Sequence, residues 1–61
     1  MKPDWKDAPE WAQWLALDPN GDWFWYEMEP DWDCSWVPQK GGLIQFAGSQ
    51  TDSFNSLESR P

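Results

Sequence analysis

The first half of the chain contains two runs of strand-forming residues on either side of a turn. Residues 18–22 carry a proline where a type I turn accepts one and a glycine where the turn needs a positive φ. The run that follows, residues 23–29, is dense in aromatic residues and ends before Pro30. Because a type I turn followed by a glycine bulge is a common hairpin loop, the pattern predicts an antiparallel hairpin of about 11–18 with 22–29.

Alternation along the two predicted strands assigns their side chains to two faces of a sheet. One face holds Leu15, Leu17, Trp23 and Trp25, and the other holds Trp14, Ala16, Phe24 and Tyr26. This register places Asp18 opposite Asp22, where two like charges would repel each other. A splayed turn, a bulge or a different register would relieve that conflict.

A helix is the competing prediction for residues 8–17. Asp7 followed by Glu10 three residues later fits a helix cap, and Trp11, Trp14 and Leu15 then have helical spacing. The hairpin pattern favours a strand, but the choice between strand and helix stays open from the sequence. A small α+β fold is therefore the alternative to a mainly β fold.

The rest of the chain predicts one further strand. Residues 43–47 form a short apolar run closed by Gly48, after an irregular connection over 30–41. Residues 49–61 are rich in Ser, Thr, Asn and Gln, which predicts a flexible polar tail. The predicted fold is mainly β, with an antiparallel three-stranded sheet built on the central hairpin in a single domain over 1–48.

The aromatic run places large rings on both faces of the predicted sheet, so both faces need cover. Cover within the chain could come from Trp32 and Trp36 of the connection and from Trp5 of the N-terminal segment. If that cover is incomplete, the second face is a surface for a partner or for a second copy of the chain.

The residue types present argue against catalysis and against common metal sites. The chain has 61 residues, no histidine and one cysteine, Cys34, so histidine-based nucleophile pairs, a disulfide and the usual zinc sets are excluded. Asp18, Asn20, Asp22 and Glu29 match positions 1, 3, 5 and 12 of a calcium loop, but Trp23 stands where that loop requires glycine. We expect no enzyme activity, no cofactor and no metal. A calcium-binding module is the third alternative.

The sequence also predicts where the protein is found. Residues 1–15 lack a signal pattern, and no apolar run approaches the ~20 residues of a membrane span. The lone cysteine points to a reducing compartment. These features predict a soluble protein of the bacterial cytoplasm.

The net charge of −7 belongs entirely to the first half of the chain. Residues 1–33 hold nine acids and two lysines, together with six of the seven tryptophans. Such a charge repels nucleic acid and anionic membranes, and it attracts basic surfaces of other proteins. Solubility alone is the simpler explanation of the charge.

A row of acids with neighbouring tryptophans is the candidate binding site. Glu27, Glu29, Asp31 and Asp33 alternate, so an extended chain would space their carboxylates ~6.6–6.8 Å apart, a spacing of the order of DNA phosphates. The alternative is a solvated strand edge that blocks aggregation. The predicted partner-binding residues are Asp18, Asp22, Glu27, Glu29, Asp31, Asp33, Trp25 and Trp32.

The pattern of residues 5–48 resembles that of small, acidic, tryptophan-rich proteins encoded by phages and prophages. It comprises Ala8-Pro9-Glu10, Trp14, Ala16, Asp18, Gly21, the run Trp23 to Glu27, and Pro30. Proteins of this kind include anti-CRISPR inhibitors that act as DNA mimics, which implies the setting but assigns no residue a role.

Two functions are therefore expected from the sequence. The first is an inhibitor that occupies the basic nucleic-acid-binding surface of a host protein, with a CRISPR surveillance complex as the first target to test. The second is a phage structural, assembly or accessory protein whose aromatic face mediates self-association. A DNA mimic works as a monomer or a weak homodimer, and its binding weakens with salt.

Overall fold

The turn at residues 18–21 organises the fold, because it returns the chain onto itself and starts a sheet. A computed structural model describes residues 2–50 and 56–61. A short 3-10 helix spans Trp5–Asp7. The strands are β1 (Trp14–Leu17), β2 (Asp22–Tyr26), β3 (Asp31–Trp32), β4 (Trp36–Val37), β5 (Ile44–Ser49) and β6 (Ser56–Ser59).

Four of the strands form one antiparallel sheet in the order β5-β2-β1-β6, and β3 pairs with β4 in a separate two-stranded sheet. The mainly β prediction is confirmed, but the predicted three-stranded sheet has a fourth strand, because β6 pairs along β1. The flexible tail predicted over 49–61 is therefore wrong for residues 56–59. The part of that prediction on residues 51–55 lies outside the described residues.

The central hairpin has the predicted register. Leu15 lies opposite Trp25, and Leu17 lies opposite Trp23. The Gly21 amide donates to the Asp18 carbonyl at 2.9 Å, and Gly21 has a φ of 93°, as a type I turn with a glycine bulge requires. The strands are shorter than predicted, since residues 8–13 hold turns and the paired residues end at Tyr26. The helix alternative is excluded for Trp14–Leu17, which form a strand.

The conflict between Asp18 and Asp22 is relieved because each carboxylate bonds to a different group. Asp18 accepts a hydrogen bond from the Trp36 backbone amide at 3.0 Å. Asp22 accepts one from the Asn20 side-chain amide at 3.3 Å, while the Asn20 oxygen accepts from the Asp22 amide. The predicted register therefore needs no shift.

The core lies on one face of the sheet, called here the core face, which comprises Leu15, Leu17, Trp23 and Trp25. The N-terminal segment covers it: Ala12 is buried there, and the Trp5 ring packs on the Trp25 ring with centroids 4.9 Å apart. The Trp5 ring nitrogen donates to the Glu58 carboxylate, which also pairs with Lys2 at 2.6 Å. Trp5, which the sequence predicts as a covering ring, therefore covers the core face.

The opposite face of the sheet, called here the second face, comprises Trp14, Ala16, Phe24, Tyr26, Ile44, Phe46 and Leu57. Its middle is covered, because Ala16 and Tyr26 are buried. Its β5 side is open: Ile44 is 43% exposed and Phe46 is 56% exposed, although the Phe46 ring meets the Phe24 ring at 5.6 Å. Internal cover of the second face is therefore partial.

Titration of Tyr26 tests the cover of the second face. Burial of the ring and, second, the negative charge of Asp18 raise the pKa of Tyr26 from 10.0 to about 12. The unfolded chain loses its phenolic proton first, so the free energy of unfolding should fall as the pH rises from about 10 to about 12. Urea unfolding at a series of alkaline pH values measures this loss.

The matched control is Tyr26→Phe, which keeps the ring and removes the titrating group. The variant should lose less stability than the wild type over the same alkaline range, because it has no buried phenol to titrate. Equal losses in the two proteins, or a phenolate absorbance midpoint near pH 10 in the folded wild type, would contradict the assignment.

Candidate partner-binding site

The small β3–β4 hairpin, residues 31–37, presents acids and an aromatic ring together; it is called here the arm. Asp31 and Trp32 form β3, which pairs with β4 so that Trp32 lies opposite Trp36. The turn between the strands contains Cys34 at a φ of 64°, and the Asp33 amide donates to the Ser35 carbonyl at 2.9 Å. Residues 31–35 are all exposed.

Trp36 fixes the arm to the sheet. Its ring nitrogen donates to the Leu17 carbonyl at 3.1 Å, and its backbone amide donates to the Asp18 carboxylate at 3.0 Å. A tryptophan with its N–H group satisfied in this way combines apolar packing with a directional anchor. The arm is therefore held at the end of β1 by two hydrogen bonds of one residue.

Trp32 rests on this anchor and faces solvent. Its ring meets the Trp36 ring at a centroid distance of 5.0 Å and an interplanar angle of 62°, a favourable edge-to-face geometry. Trp32 is nevertheless 47% exposed. The ring is thus positioned in advance and still has surface to offer a partner.

Carboxylates flank Trp32 on both sides in the sequence. Asp31 and Asp33 are exposed, and Asp31 accepts a hydrogen bond from the Gln39 amide at 2.7 Å. Asp18 lies at the arm's anchor through its bond to Trp36. Four of the predicted site residues, Asp18, Asp31, Trp32 and Asp33, therefore belong to the arm or touch it.

The remaining predicted acids lie at other places. Asp22 is held in the β1–β2 turn by Asn20. The Glu27 carboxylate accepts a hydrogen bond from the Leu43 amide at 3.1 Å, beside the start of β5. Glu29 is exposed in the connection between β2 and β3.

The predicted straight row of carboxylates is not formed. A single strand would have to run through residues 27–33, but β2 ends at Tyr26 and the chain bends at residues 27 and 28. It bends again after Trp32, where Cys34 adopts a left-handed backbone conformation. The spacing argument from DNA phosphates therefore does not apply to these four acids.

The structure also corrects the role of Trp25 and reveals that of Trp36. Trp25 is 3% exposed and packs against Trp5, so it has almost no area left for a partner. Sequence reasoning placed Trp36 among the covering rings but not at the site. The available signal was its spacing of four from Trp32, which suits two opposed residues across a three-residue hairpin loop.

Three residues of the β1–β2 turn that match a calcium loop have side chains engaged in hydrogen bonds within the protein. Asp18 bonds to Trp36, while Asn20 and Asp22 bond to each other. Within residues 2–50 and 56–61, no group of three or more Cys, Asp or Glu side chains is placed to hold a metal ion, and no pocket is found. In the same residues, no helix is long and apolar enough to cross a membrane.

Comparison with known proteins gives no match: no family model, no curated protein and no solved structure is similar to this chain.

Proposed function

We propose that this protein binds a basic, nucleic-acid-binding surface of another protein and thereby blocks it. The observation that carries the proposal is the arm, in which an exposed Trp32, supported by Trp36, is flanked in the sequence by the exposed Asp31 and Asp33. The chain around it has a net charge of −7.

The side-chain chemistry of the arm suits arginine and lysine. A guanidinium or ammonium group can stack on the face of an indole, and the carboxylates of the arm can pair with other basic groups of the same surface. Because Trp36 already fixes the position of Trp32, less rotational freedom is lost when a partner binds. Exposed aromatic residues with such support are typical of binding hot spots.

The other acids contribute at longer range. Asp7, Glu10 and Glu29 are exposed, and together with the arm they give the protein a negative field that attracts a basic partner. Such a field raises the association rate and is screened by salt, whereas the arm supplies the short-range contacts. This division of roles predicts different effects for acids inside and outside the arm.

The setting that we propose is inhibition of a host defence complex by a phage-encoded protein. It rests on the resemblance to small acidic phage proteins and on the sign of the charge. A CRISPR surveillance complex is the first target to test, because its DNA-binding surface is basic and extended.

The test is displacement of target DNA from a purified CRISPR surveillance complex, followed by gel mobility shift. We expect the wild type to release the DNA and the variant with Asp31→Asn, Trp32→Ala and Asp33→Asn to require at least about tenfold more protein. The matched control is Asp7→Asn with Glu10→Gln, which also removes two negative charges, but at exposed positions outside the arm. The control should lose at most a few-fold.

Three outcomes would contradict the proposal. If the arm variant and the control lose equal activity, then charge alone acts and the arm is not the site. If the wild type releases no DNA at low salt, the proposed target is wrong. Inhibition that does not weaken as salt rises would also contradict an electrostatic mode of binding.

The second candidate function, self-association in a phage structural or accessory protein, is favoured by a different observation. Ile44 and Phe46 are exposed side by side on the second face. Association through such a surface responds weakly to salt, or strengthens as charge repulsion is screened. The salt dependence therefore separates the two functions.

A further inference from the structure

β5 is an edge of the four-stranded sheet, and part of its backbone faces away from the sheet. The Leu43 carbonyl accepts a hydrogen bond from the Glu27 amide at 2.9 Å, so the polar groups of Leu43 point toward β2. Backbone direction alternates along an antiparallel strand, so those of Gln45 also point toward β2. The amides and carbonyls of Ile44 and Phe46 therefore point outward.

Among the described residues, no strand pairs with this outer side of β5. β5 has six residues, and residues 41–50 contain no charged side chain and no proline. Natural proteins usually protect an exposed edge with charges, proline, a β-bulge or a very short strand. The β5 edge has neither charges nor proline, it is six residues long, and its bulge lies beyond Phe46.

The opposite edge of the sheet is different. β6 carries Glu58, whose carboxylate binds Lys2 and the Trp5 ring nitrogen. Arg60 follows directly and donates to the carbonyls of Pro9 and Ala12. Charged residues and the N-terminal segment thus occupy the β6 side, while the β5 side presents backbone and apolar side chains.

We propose that β5 pairs with β5 of a second copy of this chain, antiparallel about a two-fold axis at Gln45. In this register Ile44 lies opposite Phe46 of the second copy, and Phe46 lies opposite Ile44 of the second copy. Both residues have outward-facing amides and carbonyls, so the two pairs form four backbone hydrogen bonds. The two sheets become one sheet of eight strands.

The side chains support the same register. Ile44 and Phe46 share the second face, so each copy places an aromatic ring against a β-branched side chain on that face. The β-bulge beyond Phe46 shifts the register between Trp23 and Phe24, so the regular part of the edge is short. The interface is therefore small, and the dimer should be weak.

Charge favours a second copy over a different partner. Two chains of net charge −7 repel each other, and they can approach most closely where neither carries charge, which is along residues 41–50. A basic partner would gain little from this uncharged strand. The self-pairing does not depend on the binding of a basic surface by the arm.

The test is sedimentation velocity of the full chain over a range of concentrations at low and high salt. We expect a monomer–dimer equilibrium at high micromolar concentration, with the dimer fraction increasing as salt screens the charge. A monomer at every concentration and at both salt levels would overturn the proposal. Binding of a basic partner has the opposite salt dependence, so the two proposals fail separately.

A backbone variant made by chemical synthesis tests the register. Methylation of the Ile44 amide nitrogen removes an outward donor and keeps every side chain, so the fold should be retained while the dimer fraction falls at least several-fold. Circular dichroism confirms the fold. A dimer that survives this change at full strength would show that β5 is not the interface.

A side-chain pair provides the second, independent variant. Phe46→Gln removes the ring from the proposed interface, and Met28→Gln introduces the same polar residue at an exposed apolar position outside β5. Phe46→Gln should reduce the dimer fraction several-fold, and Met28→Gln should leave it unchanged. Equal effects of the two changes would indicate general hydrophobic association and would contradict strand pairing.

Discussion

Replacement of Gly21 by alanine is expected to unfold most of the protein at room temperature. Gly21 has a φ of 93°, which L-residues rarely adopt, and a Cβ atom there would lie 2.3 Å from the Gln50 carbonyl oxygen. The same contact holds a hydrogen bond, since the Gln50 amide donates to the Gly21 carbonyl at 2.8 Å. The variant must therefore distort the hairpin turn and lose the hydrogen bond between the Gln50 amide and the Gly21 carbonyl.

The expected cost is more than about 3 kcal/mol, because backbone strain at a positive φ and a backbone clash add together. Small domains of this length rarely have more than ~3–5 kcal/mol to lose. Urea unfolding followed by circular dichroism measures the change. A loss below about 1 kcal/mol would show that the turn adapts, and would contradict this account of it.

Gly41→Ala is the matched control for this prediction. Gly41 also has a positive φ, 87°, but a Cβ atom there would meet nothing within 4 Å. Only the strain of the left-handed backbone applies, so the expected loss is roughly 1–2 kcal/mol. The difference between the two variants isolates the clash with Gln50.

Truncation of Trp25 to alanine is the second change with a large expected effect. The Trp25 ring lies in the core between the sheet and Trp5, and the residue is 3% exposed. Its removal leaves a cavity in a core of few residues, which costs ~3–5 kcal/mol. We expect the variant to show no cooperative unfolding transition in urea.

Trp32→Ala removes the same side chain from an exposed position and is the control. The ring of Trp32 contacts Trp36 but not the core cluster, so the expected loss is about 1 kcal/mol. If Trp25→Ala and Trp32→Ala destabilise the protein equally, then the assignment of Trp25 to the core and Trp32 to the binding surface is wrong.

Three tryptophans that pack against the rest of the protein also have their ring N–H groups satisfied by hydrogen bonds. The ring nitrogens of Trp5, Trp23 and Trp36 donate to Glu58, Gln50 and the Leu17 carbonyl respectively. Each bond joins residues at least 19 positions apart in the sequence. These tryptophans therefore stabilise tertiary structure both by packing and by directional bonds, which a 61-residue chain without a disulfide needs.

The sequence by itself predicted the central hairpin, its turn and the register that the structure shows, although a different register and a helix over 8–17 stayed open. All three depend on local chemistry: a proline and a glycine at fixed offsets, and side chains that alternate with a period of two. The opposition of Leu15 to Trp25 follows from the loop length alone. The sequence also predicted the strand that became β5, because a short apolar run bounded by glycines is typical of a strand.

The pairing of β6 was decided only by the tertiary structure. Ser56–Ser59 has a polar composition typical of a tail, and it becomes a strand because β1 offers an edge and Trp5 offers a partner to Glu58. The residues of β6 carry no local pattern that shows that β1 will have a free edge for them to pair with.

The candidate site was likewise only partly determined by the sequence. Composition identified an acidic half with tryptophans, and alternation already placed Trp25 beside Leu15 and Leu17. Which tryptophans are exposed depends on what covers each ring, and that is a property of long-range contacts: Trp5 covers Trp25, while nothing among the described residues buries Trp32. The bends near Glu27 and Cys34 then decided which carboxylates belong to the arm that carries Trp32.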